Sequence, residues 1–231
     1  RGGVAQAHGR SRREVLVEAA ERKPQTFVLG ASASTSDGYG LDGEWELRNL
    51  SGRGDSINVA AQLATLERRL ETTWRRPNIK RYGRNIRLSA KIEDFETDAF
   101  DQSGASVSAT VEEQLTPRVR GSIGGEFGYA STLEDKARAE GEDRTNVYIL
   151  SSTGTLDDVG VRDVLDPQAG VRARVTAEPG LTYGDANIGF ARLTGEASAY
   201  FDLSENLIGA VRGKLGTIVG PSGAPADRKF F

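Results

Sequence analysis

Leu41-Asp42-Gly43-Glu44-Trp45-Glu46-Leu47-Arg48 is the stretch that decides the fold. Leu41, Trp45 and Leu47 alternate with Asp42, Glu44, Glu46 and Arg48. In an extended chain successive side chains point to opposite faces, so this spacing separates the apolar residues from the charged ones across a sheet. A helical period of 3.6 would mix the two sets on one surface. The same two-residue period recurs on both sides. Ile57, Val59, Ala61 and Leu63 alternate with Asn58, Ala60 and Gln62, and Ile86, Leu88, Ala90 and Ile92 with Arg87, Ser89, Lys91 and Glu93. Ala105, Val107, Ala109 and Val111 oppose Ser106, Ser108, Thr110 and Glu112. Val171, Ala173, Val175 and Ala177 oppose Arg172, Arg174, Thr176 and Glu178. Leu193, Ala197, Ala199, Phe201 and Leu203 oppose Arg192, Thr194, Glu196, Ser198 and Asp202, and a last run sets Val211, Leu215 and Val219 against Arg212 and Lys214.

Turn-forming residues separate these runs: Asp37-Gly38, Ser51-Gly52-Arg53-Gly54, Tyr82-Gly83, Ser103-Gly104, Thr116-Pro117, Asp166-Pro167, Gly184-Asp185 and Ser204-Glu205-Asn206. Together they predict about eleven strands, each about 9–11 residues long, the length a tilted membrane-crossing strand needs. Connections are of two kinds, short ones such as Leu203 to Leu207 and a long charged one from Thr132 to Arg144. If residues 26–34 run outward, Asp37-Gly38 and the 132–144 loop both emerge outside and Ser51–Asp55 lies in the periplasm.

The composition fits this plan. Only 37% of the 231 residues are hydrophobic and no run of about 18 apolar residues occurs, so a membrane role has to come from strands. Thirty basic and 33 acidic residues leave a net charge of -3, which gives no global basic field to attract nucleic acid. The absence of Cys removes disulfides, thiolate nucleophiles and Cys-ligated metals. There is no Met, and residues 1–23 show no signal peptide, so the chain is expected to be a fragment. Within that segment, Arg13 to Lys23 suits either a short helix or the last strand of a preceding module, and Pro24 ends it.

Alternation also describes a soluble two-sided sheet. Three features favour a membrane barrel: long regular strands, an apolar face built of Ala, Val, Leu and Gly, and a polar face carrying both signs of charge. A water-filled lumen accommodates Glu44, Glu46, Arg48, Lys91, Glu93, Arg172, Arg174, Arg192, Glu196, Arg212 and Lys214.

Several stretches resemble a known family. Residues 24–41 (PQTFVLGASASTSDGYGL), followed by Trp45 to Asp55, resemble the first barrel hairpin of TamA-type proteins of the Omp85 superfamily. Leu165-Asp166-Pro167-Gln168-Ala169-Gly170 resembles a mid-domain periplasmic turn of those barrels. Pro225-Ala226-Asp227-Arg228-Lys229-Phe230-Phe231 resembles the lead-in to their long sixth extracellular loop. The resemblance covers about residues 14–231 and implies an all-β antiparallel transmembrane barrel of about sixteen strands when complete. Residues 1–23 would be the end of a POTRA (polypeptide-transport-associated) domain and a linker. Residues 24–231 would be the N-terminal portion of the barrel, with the closing strands and the family's Arg-Gly-Tyr or Arg-Gly-Phe motif lying beyond Phe231.

The resemblance further implies an outer-membrane factor that aids insertion or secretion of outer-membrane and autotransporter proteins. Its partners would be the lipid bilayer, unfolded client proteins and a TamB-like inner-membrane protein, with no cofactor. The barrel would open at a lateral seam along its first strand, Thr26, Phe27, Val28, Leu29, Gly30, Ala31, Ser32, Ala33 and Ser34. Small residues there suit a seam that opens, and equally a plain barrel wall. A BamA-type insertase, a passive porin-like channel and a phospholipase-type barrel are the alternatives.

No catalytic or metal-binding residue is assigned. His8 is the only histidine, in a Gly- and Arg-rich end, and the acidic pairs Glu44/Glu46, Glu93/Asp94, Glu112/Glu113 and Asp157/Asp158 read as solvated wall charges. Arg53-Gly54-Asp55 is ordinary turn chemistry before it is an adhesion tripeptide. Asn49-Leu50-Ser51 is a formal glycosylation acceptor at a strand end. Gly220-Pro221-Ser222-Gly223 lacks the Lys of a phosphate loop. Trp45, Trp74, Tyr82 and Tyr200 fit either interfacial girdles or ordinary packing.

Overall fold

A computed structural model describes residues 23–34, 38–97, 100–134, 141, 143–161, 163, 165–204 and 207–220. His8, the 13–22 segment, most of the 132–144 loop and Pro225 to Phe231 lie outside the described residues. Eleven strands form: β1 (Gln25–Ser34), β2 (Gly38–Arg48), β3 (Ser56–Ala64), β4 (Glu67–Arg76), β5 (Arg84–Glu96), β6 (Phe100–Gln114), β7 (Val119–Glu134), β8 (Thr145–Val161), β9 (Gly170–Gly184), β10 (Ile188–Ser204) and β11 (Leu207–Val219). They make one sheet in chain order, every neighbouring pair antiparallel. The predicted all-β architecture is the observed one, and no helix occurs among the described residues.

Three expectations change in detail. Strands run from 9 to 17 residues, because β5 to β11 extend past the 9–11 residues expected. Ser103-Gly104 is not a turn but sits inside β6, paired with Ser131 and Ala130 of β7. A Cβ on Gly104 would lie 2.8 Å from the Tyr129 carbonyl oxygen, so this glycine marks a close backbone approach within the sheet. The connection instead falls just before Phe100, where the Thr97 N–H donates to the Phe100 carbonyl at 3.0 Å. Thr132, Leu133 and Glu134, assigned by sequence to a loop, end β7.

The register sorts residues by face. Phe27, Trp45, Val59, Thr72, Ala90, Val107, Phe127, Leu150, Leu181 and Gly189 form one continuous cross-strand row, without a charge in it. One residue along, Glu44, Ala60, Glu71, Lys91, Ser106, Gly128, Ile149 and Thr182 form a row on the other face. All eleven residues predicted for the lumen lie on this second face.

The faces differ sharply in crowding. Leu29, Leu215 and Ile123 on the apolar face are 87%, 82% and 68% exposed, whereas Ile149, Val147, Phe190, Ser151 and Glu178 on the charged face are buried. A flat single sheet would expose both faces alike, so the charged face is the concave one. Its apolar cluster is small, Ala130, Val147 and Ile149 with Ala186 against them, and the Phe190 ring lies over Gly180, where a side chain would collide with it.

Ion pairs dominate the rest of the concave wall. Lys91 bonds Glu93 at 2.6 Å, Arg87 bonds Glu112 at 2.8 Å, Arg174 bonds Asp157 at 2.8 Å, Arg192 bonds Glu178 at 2.7 Å and Arg212 bonds Glu196 at 2.7 Å. Each pair sits on adjacent positions of one strand face or across a strand pair, where opposite charges stabilise a sheet. On the convex face exposed apolar side chains recur from Phe27 and Leu29 on β1 to Leu215 and Val219 on β11, whereas water-soluble monomers rarely expose contiguous apolar patches above a few hundred Å².

The apolar band also reports the strand tilt. On β2 it spans Tyr39 to Leu47, with Trp45 near one end; on β10 it spans Gly189 to Leu203, with Gly189 at the opposite end. Trp45 and Gly189 share one row, so the band slides about nine residues along the register over eight strand steps. That is about 30 Å along the strands against about 38 Å across them, an inclination near 40°, within the range of membrane barrels.

Connections after odd-numbered strands lie at one end of the sheet and those after even-numbered strands at the other. Ser34 of β1 and Glu134 of β7 thus share an end, and the 49–55 connection and Val161 of β8 share the opposite one. Connection length alone does not orient the sheet, since 49–55 and 77–83 are longer than 65–66 and 185–187.

Candidate functional site

Among the described residues β1 has a neighbour on one side only, β2. Which of its backbone groups face the other side follows from a single bond. The Arg48 N–H donates to the Pro24 carbonyl at 2.8 Å, which fixes the phase of the β1–β2 ladder. Opposed residues in an antiparallel pair alternate between bonded and non-bonded, so Thr26, Val28, Gly30 and Ser32 bond toward Glu46, Glu44, Asp42 and Gly40. Gln25, Phe27, Leu29, Ala31 and Ala33 turn their N–H and C=O groups to the open edge. The same residues carry the convex-face side chains.

Thr26 to Ser34, the residues expected to form a seam, lie on an edge strand of the described sheet, and their backbone groups divide by phase. Four of its members, Phe27, Leu29, Ala31 and Ala33, carry the edge, together with Gln25, which lies just outside the sequence-based range. Pro24 was the available signal, because a residue without an N–H can close a ladder only as an acceptor. No charged side chain stands on β1. Phe27 is anchored by a stacked contact with Trp45, ring centroids 6.4 Å apart, and the Asp42 carboxylate lies over Gly30.

β11 is the second edge. Tracing the bonded phase from the Asp185 N–H to Asn146 carbonyl bond at 3.0 Å through β9 and β10 leaves Ile208, Ala210, Arg212, Lys214, Gly216 and Ile218 facing outward from the sheet. β1 and β11 are both odd-numbered strands of a meander, so they run in the same direction and cannot pair antiparallel with each other.

The turn after β2 holds the lower end of this hairpin. Asp55, 2% exposed, accepts from the Ser51 N–H at 2.9 Å, the Ser51 hydroxyl at 2.8 Å and the Trp74 indole at 3.4 Å. The Ser51 backbone bond, ahead of the Ser51 hydroxyl and Trp74, holds its carboxyl below the 3.8 of a free aspartate. With Asp55 engaged inward, Arg53-Gly54-Asp55 is a structural turn and does not present an adhesion motif. Asn49 serves the same turn, its Oδ1 accepting the Gly54 N–H at 2.9 Å with its own φ at 56°.

Of the candidate girdle aromatics, Trp45 and Trp74 are on the convex face and Tyr82 is in the β4–β5 turn. Tyr200 faces the concave side, two residues from Ser198, which pairs with Arg172 and Arg212, so of its two readings packing remains and the girdle does not. A convex-face group that the pattern did not single out is the stack Phe127, Tyr148 and Tyr183, joined by Tyr129. The Tyr129 hydroxyl donates to Asn146 at 2.9 Å. Among the described residues no cluster of His, Cys, Asp or Glu is arranged to hold a metal.

The Omp85 superfamily domain matches residues 49–231. The chain belongs to the Omp85 superfamily. Among solved structures it resembles BamA from Haemophilus ducreyi lacking POTRA domains 1–3, with a TM-score of 0.71 and 14% identity, over 86% of this chain. At that identity the likeness is one of fold. The chain spans 42% of the length of that BamA structure. No curated protein sequence matches it. The Omp85 match begins at Asn49, so the hairpin that carries the β1 edge lies largely ahead of it.

Proposed function

We propose that this chain is the N-terminal portion of an Omp85 outer-membrane barrel that inserts or secretes outer-membrane and autotransporter proteins by pairing their strands with the β1 edge. The observation that carries the reading is the row of outward N–H and C=O groups on Gln25, Phe27, Leu29, Ala31 and Ala33. An edge strand recruits a further strand through its main chain, with alternating side chains setting specificity. Lipid offers such groups no partner, so an edge in a bilayer is stable only while something pairs with it. Residues 1–23 as a POTRA remnant, a closed barrel of about sixteen strands, and a TamA-type rather than BamA-type branch with a TamB-like partner belong to the same proposal. They are supported by the resemblance of residues 24–55 and 165–170. The reading includes no catalytic residue and puts the 135–144 end of the sheet at the cell surface.

Proline substitution separates edge from ladder. Leu29→Pro removes one outward N–H, and proline is tolerated at an unpaired edge; Val28→Pro removes a bond to β2. Leu29→Pro is expected to fold, judged by strand content, and to reduce client insertion into vesicles by an order of magnitude or more. Full insertion activity in a folded Leu29→Pro protein would rule out the seam. A passive channel would instead show unchanged ion conductance in both the wild type and Leu29→Pro, with no client insertion in either.

A further inference from the structure

We infer that the convex face beneath β4–β6 carries a binding site for one anionic diacyl phospholipid, its head group held by the β4–β5 turn. The turn and its flanks, Arg76-Pro77-Asn78-Ile79-Lys80-Arg81-Tyr82-Gly83-Arg84, hold four cations and no acid. Arg84 pairs in register with Glu113, and Arg76 with Ile86, both on the convex face. Two carboxylates stand there: Glu113, which Arg84 bonds at 3.0 Å and Arg81 also contacts, and Asp55, which the register sets opposite Arg76 and which already accepts from Ser51 and Trp74. Four cations against these two carboxylates leave a net positive edge facing lipid. A phosphate diester complements it, since arginine forks match phosphate oxygens.

The second part of the site lies directly above on the same strands. Two contiguous hollows of about 530 and 610 Å³ share Thr72, Ala90, Val107 and Phe127, with Leu70 and Trp74 forming one wall. They lie within the apolar band and are open to the lipid side, so their occupant is an acyl chain. The band is also narrowest here. On β4 only Leu70, Thr72 and Trp74 separate the convex-face Arg68 and Arg76, about 20 Å along the membrane normal at an inclination of about 40°, against eight uncharged positions on β10. Head groups must come close to Arg76 for the bilayer to match so short a belt. Tyr82, 94% exposed at the turn, supplies an aromatic at head-group depth.

The inference rests on the membrane reading, and its test distinguishes the two. The protein is placed in nanodiscs of equal phosphatidylglycerol and phosphatidylethanolamine, and lipid retained on release is measured by native mass spectrometry. Wild type should retain phosphatidylglycerol about tenfold over phosphatidylethanolamine, millimolar inorganic phosphate should not displace it, and Arg76→Gln/Arg84→Gln should abolish the preference. Glu113→Gln, which removes the acid that Arg81 and Arg84 contact, should raise it, and this variant decides the matter if the double substitution does not fold. Arg68→Gln, at the other border, should leave it unchanged. Equal retention of both lipids by an inserted wild type overturns the site alone, as does an unaltered preference in either variant or displacement by phosphate. Failure of the wild type to enter nanodiscs at all overturns the membrane reading.

Discussion

At the scale of single residues, Asp55 shows how little the turn chemistry depends on being at the surface. Its three hydrogen bonds tie the β2–β3 connection to Trp74 on a strand further along the sheet. Because the folded carboxyl titrates below an unfolded one, the stabilisation is complete above the ordinary carboxylate value and disappears as pH falls through the depressed one. Asp55→Asn is therefore expected to lower the melting temperature in detergent at pH 7, and the gap to wild type should narrow as the pH falls below the ordinary carboxylate range. A gap independent of pH would assign the loss to packing around Trp74 and not to the carboxylate. The motif was legible as a turn from Ser51-Gly52-Arg53-Gly54, but the reach to Trp74 was not, since it spans 19 residues of sequence.

At the scale of strands, the two-residue period identified the faces because lipid and water select opposite chemistries on one strand. It was weakest where that selection relaxes. β4 carries Arg68 and Arg76 on the lipid side near its borders, so its charges fall on both faces; β7 is glycine-rich at Gly121, Gly124, Gly125 and Gly128, so little side chain remains to alternate. Gly104 misled for the same reason: glycine serves turns and close strand contacts alike. The edge phase of β1 could not be taken from alternation, because either phase puts the same side chains on the same face. The face assignment predicts an asymmetric charge tolerance. Val107→Arg, in mid-band, should cost about 2–4 kcal/mol in reversible unfolding from vesicles. Ser108→Arg, on the concave wall opposite Glu126, should cost well under half of that. Equal losses at the two neighbours would contradict the facing of β6.

For the molecule as a whole, the slide of the apolar band is a property that no single strand contains. It predicts that polarised infrared spectroscopy on oriented bilayers gives strands inclined about 40° to the membrane normal. A value below about 25° would mean that the band does not follow the bilayer. The band's direction was present in the sequence, since each apolar run has definite ends, but reading it required the register that pairs one run with the next. The odd strand count explains why the described sheet cannot close on itself through antiparallel bonds: its outer strands run in parallel.

The β1 edge and the tilt together set a step size for any chain that pairs there. A one-residue slip would turn every lipid-facing side chain of the guest toward water, so a guest can move along β1 only two residues at a time. Two residues are about 7 Å of strand, and at an inclination of about 40° they lift the guest about 5 Å through the bilayer. A guest strand paired with β1 would then choose among registers two residues apart, with five outward-facing backbone positions between Gln25 and Ala33 to hold it.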